Sequence, residues 1–442
     1  MDKGITLDIN AVRKTEFRKI DRMEPDWVFA LRKEAWDFFH DNPLPERTSN
    51  VWRYSDPQEF VVEKPDELME WLPVLPDGSQ QEIRAMSPQN SAFGYNRSDL
   101  RTFTQMAPEL GGSGVIFRDL YSALREDAEI AGAYFGRLIG PDFGKFESLN
   151  MALWNNGLFL YIPSNMVIEK PIYLHRHPTG QFTIPRLLVI VGENAQATII
   201  DDYSCHCRGE GAITNGVVEL FAGDSANARY VNIQRFADDA RVYITERAQI
   251  GQAANLHSIF GSVGSAMAKI NAGTILNGRG ANSRMFGIVF GNEKQQFDCH
   301  TVQHHKASES FSNLEFKVVL KDKARSAYTG LIRIEKDTVN CEAYQENRNL
   351  LLNKGTKAES IPELEILTDQ VRCTHGATMG PIDPEMVFYL KSRGISESDA
   401  IREIVGGFVQ PLLAQMPRDI SKILGDLVNV KLEGKRHGQR VH

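Results

Sequence analysis

Four short stretches decide how the chain folds: "GENAQ" (Gly192–Gln196), "GDSAN" (Gly223–Asn227), "GQAAN" (Gly251–Asn255) and "GRGAN" (Gly278–Asn282). Each reads Gly-x-x-Ala-polar, and they recur at intervals of 31, 28 and 27 residues. "KDKARS" around Ala324 and "GTKAES" around Ala358 read as degenerate later copies. Between the copies lie runs such as "PRLLVIV", "GVVELFA" and "MFGIVFG", rich in β-branched and aromatic residues. A fixed turn every 25–30 residues with strands between predicts a solenoid of stacked β-coils. On that reading glycine supplies a positive φ, alanine fits where successive turns crowd, and the polar residue satisfies turn backbone groups. A β-sandwich with similar turns is the alternative.

Working outward, the chain divides into three zones. Residues 1–150 read as an N-terminal helical domain. In "PDWVFALRKEAWDFF" Trp27, Leu31, Ala35 and Phe38 fall at helical spacing, with Pro25 suited to the first turn. "IFRDLYSALRED" predicts a second helix, and the polar segment near 80–100 predicts a flexible loop. Residues 151–380 form the β-core, which makes the protein mainly β. Residues 381–442 turn helical again. Asp383 is placed to cap a helix with Pro384 at its first position and Gly394 as its stop. Ser396 caps a second helix, whose Ile401, Ile404, Val405, Phe408 and Leu412 share a face. Met386 to Leu390 is apolar on every side of its helix, so it needs cover on more than one face. The cover is either a partner protein or the chain's own β-core.

Composition sets further bounds. The 442 residues carry a net charge of −7, with 24% charged and 42% hydrophobic residues. An acidic surface argues against nucleic-acid binding, and the short basic tail "KRHGQR" does not reverse it. Five cysteines, an odd and sparse number, favour a reducing compartment. An acid-bearing N-terminus and the absence of a long apolar run predict neither a signal peptide nor a membrane span, and so a cytoplasmic protein.

Candidate chemistry rests on Cys/His juxtapositions. In "VRCTHGATMG" (Val371–Gly380), Cys373 and His375 stand two apart, which on a strand puts them on one face. Two donors make half of a metal site, with the rest supplied by the fold or another subunit. "SCHC" (Cys205, His206, Cys207) and "HH" (His304, His305) are weaker metal candidates. No nucleotide-binding GxxxxGK[ST], dinucleotide fingerprint or nucleophile elbow is present. Parallel β-helices also carry carbohydrate-active enzymes, which need paired carboxylates. Asp201, Asp202 and Glu219 are the acids on offer.

Several longer motifs carry a resemblance. "KFESLNMALWNNGLFLYIP" (145–163), "NLLL" (349–352), "PELEI" (362–366), "CTHGAT" (373–378), "FYLKSRGI" (388–395) and Phe408 are together similar to the SufB/SufD family of iron–sulfur cluster assembly scaffolds, most of all its SufD members. "VWRYSD" (51–56) extends the likeness towards the N-terminus. The resemblance implies a right-handed parallel β-helix core between helical termini. It implies a non-enzymatic subunit that pairs with SufB, or with a second copy of itself, and docks the SufC ATPase. It places SufC docking at Phe388, Tyr389, Leu390, Arg393, Gly394 and Phe408. A transient iron–sulfur cluster, shared with the partner, would form at His375 with Cys373, and no nucleotide would bind this chain. Two positions depart from SufB: Asn347 stands where it has a cysteine, and Gly376 where it has a glutamate. The resemblance therefore implies the SufD role.

Overall fold

The computed structural model describes residues 24–62, 91–179, 182–204 and 211–433. Its architecture follows from the repeated turns. In each, the alanine amide donates to the glycine carbonyl three residues earlier, at 3.2, 3.1, 3.3 and 3.2 Å for the copies in chain order. The positive φ is not on the first glycine, as expected, but on the third residue: Asn194 (55°), Ser225 (58°), Ala253 (51°) and Gly280 (71°). The first glycine is required for a different reason. A Cβ on Gly223 would lie 2.8 Å from the Glu193 amide nitrogen, and one on Gly278 would lie 2.0 Å from that of Gln252. Backbone of the preceding coil occupies the space a side chain would need. Ala195, Ala226, Ala254 and Ala281 are fully buried, as the crowding requires. The polar residues bond along the stack, with Asn255 Nδ2 donating to Asn227 Oδ1 at 3.0 Å.

Stacking these coils builds two ten-stranded sheets. The first contains β1 (Ala92–Arg97), β2 (Phe103–Met106), β5 (Ile172–His177), β8 (Gln196–Ser204), β10 (Asn227–Arg235), β12 (Asn255–Ser262), β14 (Asn282–Gly291), β16 (Phe311–Leu320), β18 (Cys341–Leu351) and β20 (Val371–Pro381), ordered β2-β1-β5-β8 and onward to β20. The second contains β3 (Ile116–Asp119), β4 (Asn156–Ile162), β7 (Pro185–Val191), β9 (Ile213–Ala222), β11 (Arg241–Ile250), β13 (Met267–Leu276), β15 (Gln296–His305), β17 (Arg325–Ile334) and β19 (Lys357–Ile366), ordered from β3 to β19, with the short β6 (Phe182–Thr183) beside β9. From β4 onward the pairings are parallel with unbroken register. The fold is thus a mainly β parallel solenoid.

The four matching repeats all lie where the chain passes from the second sheet to the first. Ala324 marks the opposite corner, between β16 and β17, so "KDKARS" is a turn of the other kind. In "GTKAES", on that same corner, the buried small side chain is Thr356 rather than Ala358. On the original corner the column of alanines continues through Ser310 to Cys341. Cys341 therefore fills a crowded turn.

Helices flank both faces. α1 (Asp26–Asp41), α2 (Leu120–Glu126), α3 (Ala128–Tyr134) and α4 (Lys145–Leu153) pack on the outer face of the second sheet, around Trp36, Trp154, Phe159 and Leu188. The buried stripe of α1 is Val28, Arg32, Ala35 and Trp36. Only Ala35 of the expected four is fully buried, because Arg32 turns inward to donate to the Ala152 and Trp154 carbonyls at 2.8 and 3.0 Å. α6 (Glu397–Leu413) and α7 (Arg418–Leu432) cover the first sheet, with Val405, Leu412, Ile420 and Leu424 against Val231, Ile259, Phe286 and Ile288. With both outer faces covered, the strands read as near-continuous apolar runs.

Two expectations for the first zone are corrected. Residues 92–97, within the expected loop near 80–100, form β1, which pairs in parallel with β5. The segment before it is polar, but Ala92, Phe93 and Asn96 of the strand are buried, and Asn96 donates to Thr102 Oγ1 at 3.0 Å. Residues 63–90 lie outside the described residues. "IFRD" is β3, with Asp119 accepting from the Ser122 amide to start α2 after it. The β-core thus reaches into the first 150 residues. Among the described residues no helix is long and apolar enough to cross a membrane.

Candidate functional site at the open end of the solenoid

The two ends of the stack differ. At the N-terminal end both sheets finish in an antiparallel strand, β2 on β1 and β3 on β4. At the other end they finish in β19 and β20, whose outer edges pair with nothing among the described residues. Both strands are largely half-buried or exposed, unlike those within the stack.

Cys373 and His375 lie on β20. In register they follow Ala343 and Gln345, both buried residues of β18. They therefore belong to the row that faces the solenoid interior, and they share a face as their spacing predicts. His375 is exposed because no further coil among the described residues stacks on it. Cys373 is half-buried, and burial, with the nearby Cys341 thiol, holds its pKa above the usual thiol value. It stands as a thiol at neutral pH, and a bound cation would have to displace that proton. Leu364, Leu367 and Met379 rim the same opening at 39, 47 and 50% exposure. The alternation of β19 and β20 encodes their inward direction, but not the absence of a covering coil. Beside the opening, a groove of about 440 Å³ on the outer face of the first sheet is lined by Glu315, Tyr344 and Glu346 and reaches His375.

Among the described residues no three histidine, cysteine or acidic side chains converge as a metal site. His375 and Cys373 offer two donors. His305 is buried away from this end, bonded to Ser310 and Ser312 at 2.8 Å each, and burial pushes its pKa down to about 4. Its neighbour His304 faces Glu335 at 2.7 Å. The structure does not bring either to β20. Cys205 and Cys207 lie outside the described residues. Cys299 is buried, and burial pushes its thiol up to about 12.

Asn347 and Gly376, the two departures from the SufB pattern, lie beside the pair. Asn347 is buried and donates to the Phe316 carbonyl at 3.3 Å. Gly376 is open, a Cβ there meeting only Glu346 Cγ at 4.0 Å. The acids that a carbohydrate-active enzyme would need are consumed by the fold. Asp201 pairs with Arg176 at 2.5 Å, Asp202 with Arg235, and Glu219 with Arg186 at 2.7 Å, with each carboxylate fully buried or nearly so.

Next to the open end stands α5 (Pro384–Ser392). Asp383 caps it, accepting from the Glu385 amide at 2.9 Å, and Gly394 closes it at φ 84°. None of its residues is buried. Phe388 is 73% exposed, Tyr389 56% and Met386 49%. Cover by the chain's own β-core, one of the two readings of this helix, is thereby excluded. Arg393 lies over the Tyr389 ring at 5.2 Å, while Leu390 is half-buried. Phe408 is different, since its half-buried ring packs against the first sheet and Lys317 donates to its carbonyl at 2.8 Å. It fastens α6 in place.

Comparison with known proteins supplies the family. Residues 174–408 match the family model for the SufBD core domain of the SUF system for FeS cluster assembly. Residues 95–174 match that for the SufBD protein N-terminal region. Iron–sulfur cluster assembly SufBD family proteins of Staphylococcus haemolyticus and Staphylococcus epidermidis are each 27% identical to the chain. Each alignment covers 98% of this chain and 94% of the relative. A protein of the same description from Staphylococcus aureus is equally similar.

Proposed function

The chain belongs to the SufBD family of iron–sulfur cluster assembly proteins, and from that premise we propose that it is a cytoplasmic scaffold subunit that pairs through the open end of its solenoid and docks an ATPase through α5. The observation that carries this reading is the coincidence, at one end, of two free strand edges, an apolar rim, the Cys373/His375 pair and an unburied aromatic helix. Free edges and exposed apolar rims mark surfaces that another chain covers. SufB is the proposed partner at β19 and β20, and SufC at Phe388, Tyr389, Leu390, Arg393 and Gly394. The nascent cluster is the cargo. His375 would supply an imidazole donor at the covered interface, with Cys373 behind it and the remaining donors from the partner.

Mixing the purified chain with SufB and SufC tests the reading. A stable ternary complex by size-exclusion chromatography is expected, and none forming would sink it. A dimer of this chain alone that excludes SufB would replace SufB with a second copy. Phe388→Asp should remove SufC and leave SufB bound. His375→Ala should keep the complex and lower the yield of assembled cluster by about tenfold or more. Unchanged yield would remove His375 from the site.

A further inference from the structure

A second row of chemistry lies on the outer face of the first sheet, away from the open end. Each Gly-x-x-Ala turn launches a strand whose side chain three residues beyond the alanine points outward. Those positions are Thr198, Arg229, His257 and Arg284, adjacent in register on β8, β10, β12 and β14. They face a groove of about 490 Å³ whose floor also carries the asparagine row that includes Asn227 and Asn255. Its volume is that of a small-molecule site.

No acid lines this groove, and no ion pair joins Arg229, His257 or Arg284 to a carboxylate among the described residues. Arg229 Nε and His257 Nε2 are shut from solvent without a hydrogen-bond partner. Among the described residues the Arg229 guanidinium makes one bond, a long one, Nη1 donating to Thr198 Oγ1 at 3.4 Å. Burial, with Arg229 and Arg284 on either side, pushes the His257 pKa down to about 4. The imidazole is therefore neutral at pH 7, with its ring held edge-on to Phe286 at 4.7 Å. Two guanidiniums that flank a neutral imidazole, with orphaned donors and no counter-charge, form an arrangement that costs stability unless an anion completes it. Coils stack about 4.8 Å apart, so the two arginines stand roughly 10 Å apart at their Cα atoms. One phosphate group held above His257 lies within reach of both.

We infer that this row is a phosphate-binding site, taking either free phosphate or pyrophosphate or the phosphate end of a small metabolite. Guanidinium forks suit phosphate oxygens, and the asparagine amides alongside suit hydroxyl groups attached to it. The site is separate from the open end. Arg284 leads in register through Asn313 and Tyr344 to Thr374 beside His375, three coil steps or about 14 Å away.

Titration of the full chain with inorganic phosphate, pyrophosphate and adenosine monophosphate, followed by calorimetry at low salt, tests the inference. Saturable binding of at least one, with a single site per chain, is expected. Tighter binding of the free anions identifies the anion itself as ligand, and tighter binding of the monophosphate identifies a phosphorylated metabolite. Arg229→Gln and Arg284→Gln should each weaken binding by about tenfold or more. Arg284 is exposed, so its variant is expected to fold normally, with an unchanged melting temperature as the check. Binding should raise the His257 pKa, read from its ring resonances. No saturable binding of any of the three, binding that both variants retain, or binding of a polyglutamate peptide in their place would overturn the inference. None of these outcomes depends on SufB or SufC.

Discussion

The solenoid has one closed end and one open end, made from the same kind of strand. At the closed end β2 and β3 run antiparallel to the stack, and beside them α1 to α4 cover the outer face of the second sheet, fixed by Arg32 and by the Arg186–Glu219 pair. At the open end the outer edges of β19 and β20 pair with nothing among the described residues, and the nearest helix, α5, turns its aromatic side chains to solvent. Strand edges invite pairing, and proteins usually blunt them. Here one end is blunted and the other is not. The contrast teaches where the chain spends its polar groups. Buried ion pairs fasten the helices beside the closed end, while Cys373 stands half-buried and His375 exposed at the open one.

The largest way to break this contrast is to loosen the helix-covered flank beside the closed end. Glu219 accepts from the amides of Gly136, Leu138 and Ile139 at 3.1, 3.0 and 3.2 Å while pairing with Arg186. Glu219→Ala leaves a buried guanidinium and three amides without their acceptor. Urea unfolding should show a loss of about 3–5 kcal/mol. A loss below about 1 kcal/mol would mean that the helix cover does not depend on this pair.

Which end is open could not be read from sequence. The Gly-x-x-Ala turns announced stacked coils because turn chemistry is local, and four copies carry it. The two kinds of corner were not separable that way, since both need a small buried residue, and Ala324 was placed on the wrong one. β1 was hidden for the opposite reason. "AFGYNR" has no β-branched residue and follows a polar segment, and what makes it a strand is its pairing with residues 172–177, far along the chain. For β20, "VRCTHGATMG" alternates much as an interior strand does. The pattern fixes which side chains face inward, but the presence of a coil above them is tertiary information. His375 is singled out in the sequence by its spacing from Cys373 and by the motif around it. The outward row Thr198, Arg229, His257, Arg284 does have a sequence signal, a constant offset of three from each repeat alanine.

A matched pair of substitutions sharpens the comparison at the level of one methyl group. Within the stack, Gly278→Ala drives a Cβ into the Gln252 nitrogen at 2.0 Å and the Gly251 carbonyl carbon at 2.2 Å. Both contacts are backbone and neither can swing away, so a loss of about 1–3 kcal/mol is expected. On the last coil, Gly376→Ala meets nothing nearer than 4.0 Å and should change stability by less than about 0.5 kcal/mol. Equal losses at the two positions in thermal unfolding would show that the last coil is packed like the others, and the open end would have to be given up.

The smallest effect separates a histidine inside the covered stack from one at its end. His300 on β15 is almost fully buried. That burial, and secondarily the charges of Lys269 and Arg247, pushes its pKa down to about 3. In the unfolded chain the ring titrates near 6.5. Above that pH neither state holds the extra proton and stability is unaffected. As pH falls from 6.5 towards 3, only the unfolded chain takes it up, so stability declines. His300→Gln removes this one contribution, while His257 and His305 keep theirs. The variant should therefore lose less than the parent between pH 7.5 and 5.5, by roughly 1 kcal/mol, measured by urea unfolding at the two values. An unchanged difference would mean that His300 takes up its proton within the folded state. Water would then have to reach the outer face of the second sheet, and the covered flank would be as accessible as the end that carries His375.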